Sequence, residues 1–162
     1  MYLYDVETKK ITASNGGYVD GGPLIRDSFV KLGRSQRGIL YEPVIRTEKS
    51  RTAVVIVHSD DDYSTRPMGG ELAKRGYVAF CGAVSDRLGT LDQKLLDVKH
   101  IVEFLQYYLY VDNIILMGHS GGATLMSAYQ AVAENGAAVF QGDYMLISCS
   151  VKEDLPAADG LM

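Results

Sequence analysis

The chain has 162 residues, 47% hydrophobic and 22% charged, with a formal charge of −4. That is the size and composition of one domain able to bury a core. The mild, dispersed acidity argues against a nucleic-acid or anionic-membrane partner, and no apolar run is long enough to span a bilayer. The N-terminus, M-Y-L-Y-D-V-E-T-K-K, lacks the apolar core of a signal peptide, so a cytoplasmic location is expected. Cys81 and Cys149 are far apart and lie in or near apolar runs, which predicts two buried free thiols rather than a disulfide or a metal pair.

Residues 1–50 are rich in Gly and Arg and carry short β-type pieces: Tyr2-Leu3-Tyr4, Tyr18-Val19, Phe29-Val30-Lys31 and Gly38-Ile39-Leu40-Tyr41. Asn15-Gly16-Gly17 and Asp20-Gly21-Gly22-Pro23 are turn signals between them. An antiparallel edge or small meander is expected here, ahead of a main sheet. Alternation begins after residue 51. Ala53-Val54-Val55-Ile56-Val57 has the unbroken β-branched character of a strand buried on both faces. A polar loop, residues 58–67, leads to a short helix through Glu71-Leu72-Ala73-Lys74-Arg75, with Pro67 in its first turn and Gly76 as its stop.

Tyr77-Val78-Ala79-Phe80-Cys81 is the next predicted strand. Leu91, Leu95, Val98, Val102 and Leu105 then recur at helical spacing, with Thr90 or Ser85 available as the cap. Asp92, Lys94, Lys99 and Glu103 fall mostly off that stripe, and His100 lies mid-helix beside them as a structural residue. A strand at residues 113–117 and a helix ending near Asn135-Gly136 follow. Tyr144-Met145-Leu146-Ile147-Ser148 reads as another β-type piece, and Asp159-Gly160-Leu161-Met162 as the opening of one more element. Strand and helix alternating with short connections predicts an α/β fold. Its sheet is mainly parallel, with helices on both faces and an antiparallel β edge at the N-terminus.

The chemistry concentrates at Gly118-His119-Ser120-Gly121-Gly122. A buried strand stops there and a helix starts at once, so one serine stands at the apex of a sharp turn. The flanking glycines relieve the crowding of that turn. The amide of Gly121 would face an oxyanion formed at the Ser120 hydroxyl.

These residues resemble the α/β-hydrolase family, its esterase, lipase and dienelactone-hydrolase-like members in particular. The likeness runs from Ala53 to Met162. It includes Val57-His58-Ser59-Asp60, placed like the family's oxyanion loop, and Gly76-Tyr77-Val78-Ala79 ahead of the helix that feeds the serine turn. The resemblance implies a three-layer α/β-hydrolase-like domain, with 1–50 as β edge and 51–162 as alternating core. It implies acyl transfer from an ester or related small-molecule substrate, without a cofactor or metal. Ser120 would be the nucleophile, and the Gly121 and Asp60 amides the oxyanion donors, with Asp61 serving in place of Asp60 if the loop is one residue longer. Ser59 replaces the family's usual glycine. The family places an acid and then a histidine after its serine, whereas the three histidines here are His58, His100 and His119. The chain is therefore expected to be the N-terminal part of such a domain. On that expectation it lacks the last strands, the acid and the base, and its unfinished sheet edge favours self-association.

Two other classes remain open. Asp60 and Asp62 with Ser64, behind a buried strand, approximate the acidic motif of haloacid-dehalogenase-like Mg²⁺ phosphatases. A non-catalytic, hydrolase-like binding domain is the other. His119, next to the serine in a tight turn, is expected to pack or hydrogen-bond. His58 is expected to brace its loop rather than act as base.

Overall fold

In the computed structural model, residues 2–5, 10–13, 17–19, 24–33, 35–143 and 147–162 are described. The strands are β1 (Tyr2–Asp5), β2 (Lys10–Ala13), β3 (Gly17–Val19), β4 (Ile25–Leu32), β5 (Gln36–Pro43) and β6 (Thr52–His58). Helix α1 (Met68–Lys74), β7 (Val78–Ala83), α2 (Leu91–Leu109), β8 (Asn113–Met117), α3 (Gly121–Asn135) and β9 (Gly160–Leu161) complete the order. One sheet holds the strands in the order β2-β1-β4-β5-β7-β6-β8-β9, with β3 also on β4. From β7 to β9 every pairing is parallel.

β6 lies inside the parallel part of the sheet, between β7 and β8, where it is buried on both sides. Every residue from Ala53 to His58 is buried. Successive side chains of a strand point to opposite faces, so the odd and even positions feed different cores. Ala53, Val55 and Val57 join Val78, Phe80, Ile114 and Leu116 in the larger cluster, where α2 supplies Leu95, Val98, Ile101, Val102 and Leu105, and α3 supplies Leu125, Met126 and Tyr129. Val54 and Ile56 join Cys81 and Tyr63 in the smaller one, packed by Met68 and Leu72 of α1. Each such fully buried apolar side chain contributes roughly 1.5–3 kcal/mol, before conformational entropy is set against it. Both cysteines are free and buried.

The predicted helices form, with local reasons for their ends. Thr90 caps α2 through a reciprocal bond with Gln93, while Ser85 is used elsewhere. Tyr110, at φ 53°, ends that helix in the left-handed region. Gly76 follows α1 at φ 98°, a backbone that disfavours a side chain.

The N-terminal strands differ from a separate meander. β5 pairs antiparallel with β7, which makes this region continuous with the main sheet. β1 runs parallel to β4, although the β1–β2, β3–β4 and β4–β5 pairs are antiparallel. The predicted turn residues Asn15, Gly16 and 20–23, and Tyr144-Met145-Leu146 of the expected strand, lie outside the described residues. Ile147 and Ser148 are exposed and in no strand. Gly160–Leu161 does extend the sheet, as a parallel partner of β8. Among the described residues no helix is long and apolar enough to cross a membrane.

A buried charge cluster fastens the antiparallel side. Glu42, with a fully buried side chain, faces Arg26 across the β4–β5 pair at 2.9 Å and takes Arg46 at 2.5 Å. Arg46 also donates to the Leu109 carbonyl at the end of α2. Glu42→Ala strips both arginines of their buried acceptor. Because both are partly hydrated, the expected loss is about 2–3 kcal/mol in urea unfolding. A loss below about 0.5 kcal/mol would mean that water already compensates the cluster.

Candidate active site

The strand order determines where a site can form. β6 lies between β7 and β8, and the helices that follow β6 and β8 pack with different cores on opposite faces. A crevice opens at the carboxyl ends of such strands, where ligands bind in open α/β sheets. His58–Asp60 and Gly118–Gly122 meet there.

The turn after β8 is tight. A Cβ built on Gly118 would lie 2.3 Å from Ala123 Cα, and one on Gly122 would lie 2.7 Å from the Val57 carbonyl oxygen. Neither position can carry a side chain without moving backbone. Between them Ser120 is exposed and holds φ 54° and ψ −127°, a backbone that a non-glycine residue rarely adopts. The Gly122 amide donates to the His119 carbonyl and the Ala123 amide to that of Ser120, each at 2.9 Å. Gly121 opens the 15-residue α3, so its N–H lies ahead of the intrahelical ladder, at the positive end of the helix dipole.

The β6 loop presses on this turn. A Cβ on Gly121 would lie 2.4 Å from Ser59 Oγ and 3.0 Å from His58 Cε1. His58 is buried, and its Nδ1 lies 2.6 Å from Asp60 Oδ1 and 3.2 Å from the Asp60 amide nitrogen. One nitrogen cannot donate to the first and accept from the second. We assign the proton to Nδ1, because the carboxylate contact is shorter and charge-assisted. The Asp60 N–H points at the same nitrogen, so the amide faces the His58 ring.

The remaining acids of the loop are engaged. Asp61 pairs with Arg66 at 3.0 Å and Asp62 with Arg37 at 3.4 Å. The Asp62 amide and the Arg66 guanidinium hold the Asp61 carboxyl below its ordinary pKa. Asp62 also accepts the Ser64 amide at 2.9 Å. No group of three or more His, Cys, Asp or Glu is arranged to hold a metal ion among the described residues.

Tyr63 is the residue that sequence reasoning missed. It is 5% exposed, its amide donates to the Gly82 carbonyl, and its hydroxyl meets His119 Nδ1 at 2.7 Å. Its ring lies 5.0 Å from that of His58, with Arg66 over it at 4.9 Å. Tyr63 thus ties the acidic loop to the serine turn. A lone aromatic in the polar run Asp60-Asp61-Asp62-Tyr63-Ser64 was the available signal. His100 lies apart on α2, where burial lowers its pKa.

A cleft of about 400 Å³ opens beside the turn, bounded by Ser59 and Gly121, by Gly89 and Leu91 before and at the start of α2, and by Leu125 of α3. The loop that supplies Gly89 is pinned by Asp97, a buried acid of α2, which accepts the Ser85 amide at 2.7 Å and the Ser85 hydroxyl at 2.9 Å. Burial pushes the Asp97 carboxyl above its ordinary value of 3.8.

Two outcomes follow from this geometry. Ser120→Gly should be more stable than Ser120→Ala by about 1 kcal/mol in denaturant unfolding, since only glycine accepts the positive φ without strain. Equal stabilities would remove backbone strain as a property of the turn. The folded chain holds the Asp97 proton to higher pH than the unfolded chain does. Its contribution to stability therefore falls as pH rises from 3.8 through the raised value. Asp97→Asn keeps an oxygen acceptor for Ser85 and should gain on the parent protein across that window. Parallel stability curves would show that the carboxylate is well solvated. Comparison with protein-family models gave no match to the chain, and comparison with curated proteins gave none either.

Proposed function

We propose that the chain is a serine hydrolase of α/β-hydrolase type, with the three-layer arrangement of that fold, acting on an ester or related acyl substrate. The observation that carries the reading is Ser120 itself. It is an exposed hydroxyl on a positive-φ turn between a buried strand and a helix, with the helix's first amide beside it. Strain at such a position persists where the surroundings over-determine it, as Gly118 and Gly122 do here.

In this mechanism Ser120 Oγ bonds to the carbonyl carbon and its proton passes to a base. The oxyanion takes the Gly121 and Asp60 amides, and collapse expels the alcohol to leave an acyl-enzyme that water then cleaves. An oxyanion donor is worth about 3–4 kcal/mol of transition-state stabilisation. The His58–Asp60 contact holds the loop beside the turn, and in this mechanism the Asp60 N–H turns from His58 Nδ1 to the oxyanion. The reading also asks for a histidine base oriented by an acid. Residues 121–162 contain no histidine; the acid contact is present at His58, but among the described residues neither the His58 nor the His119 ring is hydrogen-bonded to the Ser120 hydroxyl.

A fluorophosphonate probe in excess should label the folded chain slowly at Ser120, since no base activates the hydroxyl, seen by intact mass and peptide mapping after long incubation, and Ser120→Ala should abolish the adduct. Folded protein that stays unlabelled would sink the hydrolase reading. Turnover of p-nitrophenyl esters by these 162 residues should be weak, because general-base catalysis, worth about 10²–10⁴-fold, is missing. Robust turnover that disappears in His58→Ala would transfer the base role to His58.

A further inference from the structure

The two sides of the Ser120 turn differ in chemistry. On one side stand Asp60, Asp61 and Asp62, with Asp60 65% exposed. On the other is the 400 Å³ cleft, where Leu91, Leu125, Ala128, Phe140 and Ile147 are half of the ten described lining residues. Resting on the reading of Ser120 as nucleophile, we propose that this cleft is the acyl subsite. It selects esters whose acyl group is apolar and uncharged, while the alcohol leaves on the acidic side.

Three features point the acyl group this way. Ser59 and Gly121, which flank the oxyanion position, also line the cleft, so a carbonyl held there has its substituent at the cleft mouth. The volume lies near the lower end of the roughly 300–1,000 Å³ that small-molecule sites occupy, which suits one short aliphatic or aromatic group. Lys94, the one cation among the described lining residues, donates to the Arg87 carbonyl at 2.8 Å, which tethers its ammonium at the loop. A carboxylate on the acyl chain would lose its water among leucine, phenylalanine and isoleucine side chains, while Lys94 stays tethered to the Arg87 carbonyl. The wall is apolar where it reaches the surface as well: the lining Ile147 is 56% exposed.

The test uses the 162-residue chain with two separate readouts. In the first, alkyl fluorophosphonates from ethyl to octyl are compared by rate of Ser120 labelling: the Ser120 oxygen bonds to phosphorus, fluoride leaves, and the proton goes to solvent. The rate should climb about fourfold per methylene until the cleft is full, then level. A chain ending in a carboxylate should react at least tenfold more slowly than its methyl-ended analogue. In the second, hexanamide and acetamide are titrated into Ser120→Ala and followed by NMR. Hexanamide should bind more tightly and shift the Leu125 and Ala128 methyls. Thr124→Trp, an exposed position lining the cleft, should abolish both effects while the rest of the spectrum keeps its folded dispersion.

Absence of chain-length dependence in both readouts would overturn the subsite. So would faster labelling by the carboxylate-ended chain that is lost in Lys94→Met. Hexanamide binding that Thr124→Trp blocks, in a protein that no fluorophosphonate labels, would support the subsite and overturn the nucleophile.

Discussion

The structure depends on one close approach. The N-terminus of α3 comes so near the end of β6 that a single methyl on Gly122 would reach 2.7 Å from the Val57 carbonyl. That contact brings the first turn of α3 against the last residues of β6. It leaves Gly118 no room for a side chain, drives Ser120 to positive φ, and sets Gly121 against His58 and Ser59. The backbone strain is sustained by cores on both sheet faces, to which β6 contributes alternate residues. A shallower core could not hold a residue in a conformation costing about 1–3 kcal/mol.

Around this contact the polar groups are organised by pairing. Three consecutive aspartates would repel one another if left alone. Here His58, Arg66 and Arg37 each take one of them, and loop amides fill further acceptor sites. Tyr63 then anchors the loop by reaching inward to the Gly82 carbonyl and outward to His119. The result is a loop held in place by hydrogen bonds beside a turn held in place by sterics. In the functional reading proposed for this site, that rigidity keeps the Gly121 amide aimed at the oxyanion during reaction.

Features carried by contiguous residues were legible in the chain. The β-branched run at Ala53 to Val57, the apolar stripe of α2, the Thr90 cap and the glycine-flanked Ser120 each express a local rule. The stripe proved wider than read, with Ile101, Phe104 and Leu109 also buried. Ser85, which had looked like a cap, is an anchor for Asp97, twelve residues later, and periodicity holds no trace of that bond. The Glu42 cluster was equally hidden, because it joins Arg26, Arg46 and the end of α2. Nor could local propensity tell that β1 lies parallel to β4, since pairing direction is a property of two segments together.

The sequence by itself therefore determined an alternating α/β chain with a strand-to-helix turn at Ser120, because steric and periodic rules act within a few residues. Tertiary structure decided the rest. It placed β6 between β7 and β8, brought the Asp60 loop and Tyr63 to the turn, and opened an apolar cleft on one side with paired carboxylates on the other. Those arrangements arise from contacts between residues tens of positions apart, where the free energy lies in burial and hydrogen-bond pairing rather than in local conformation.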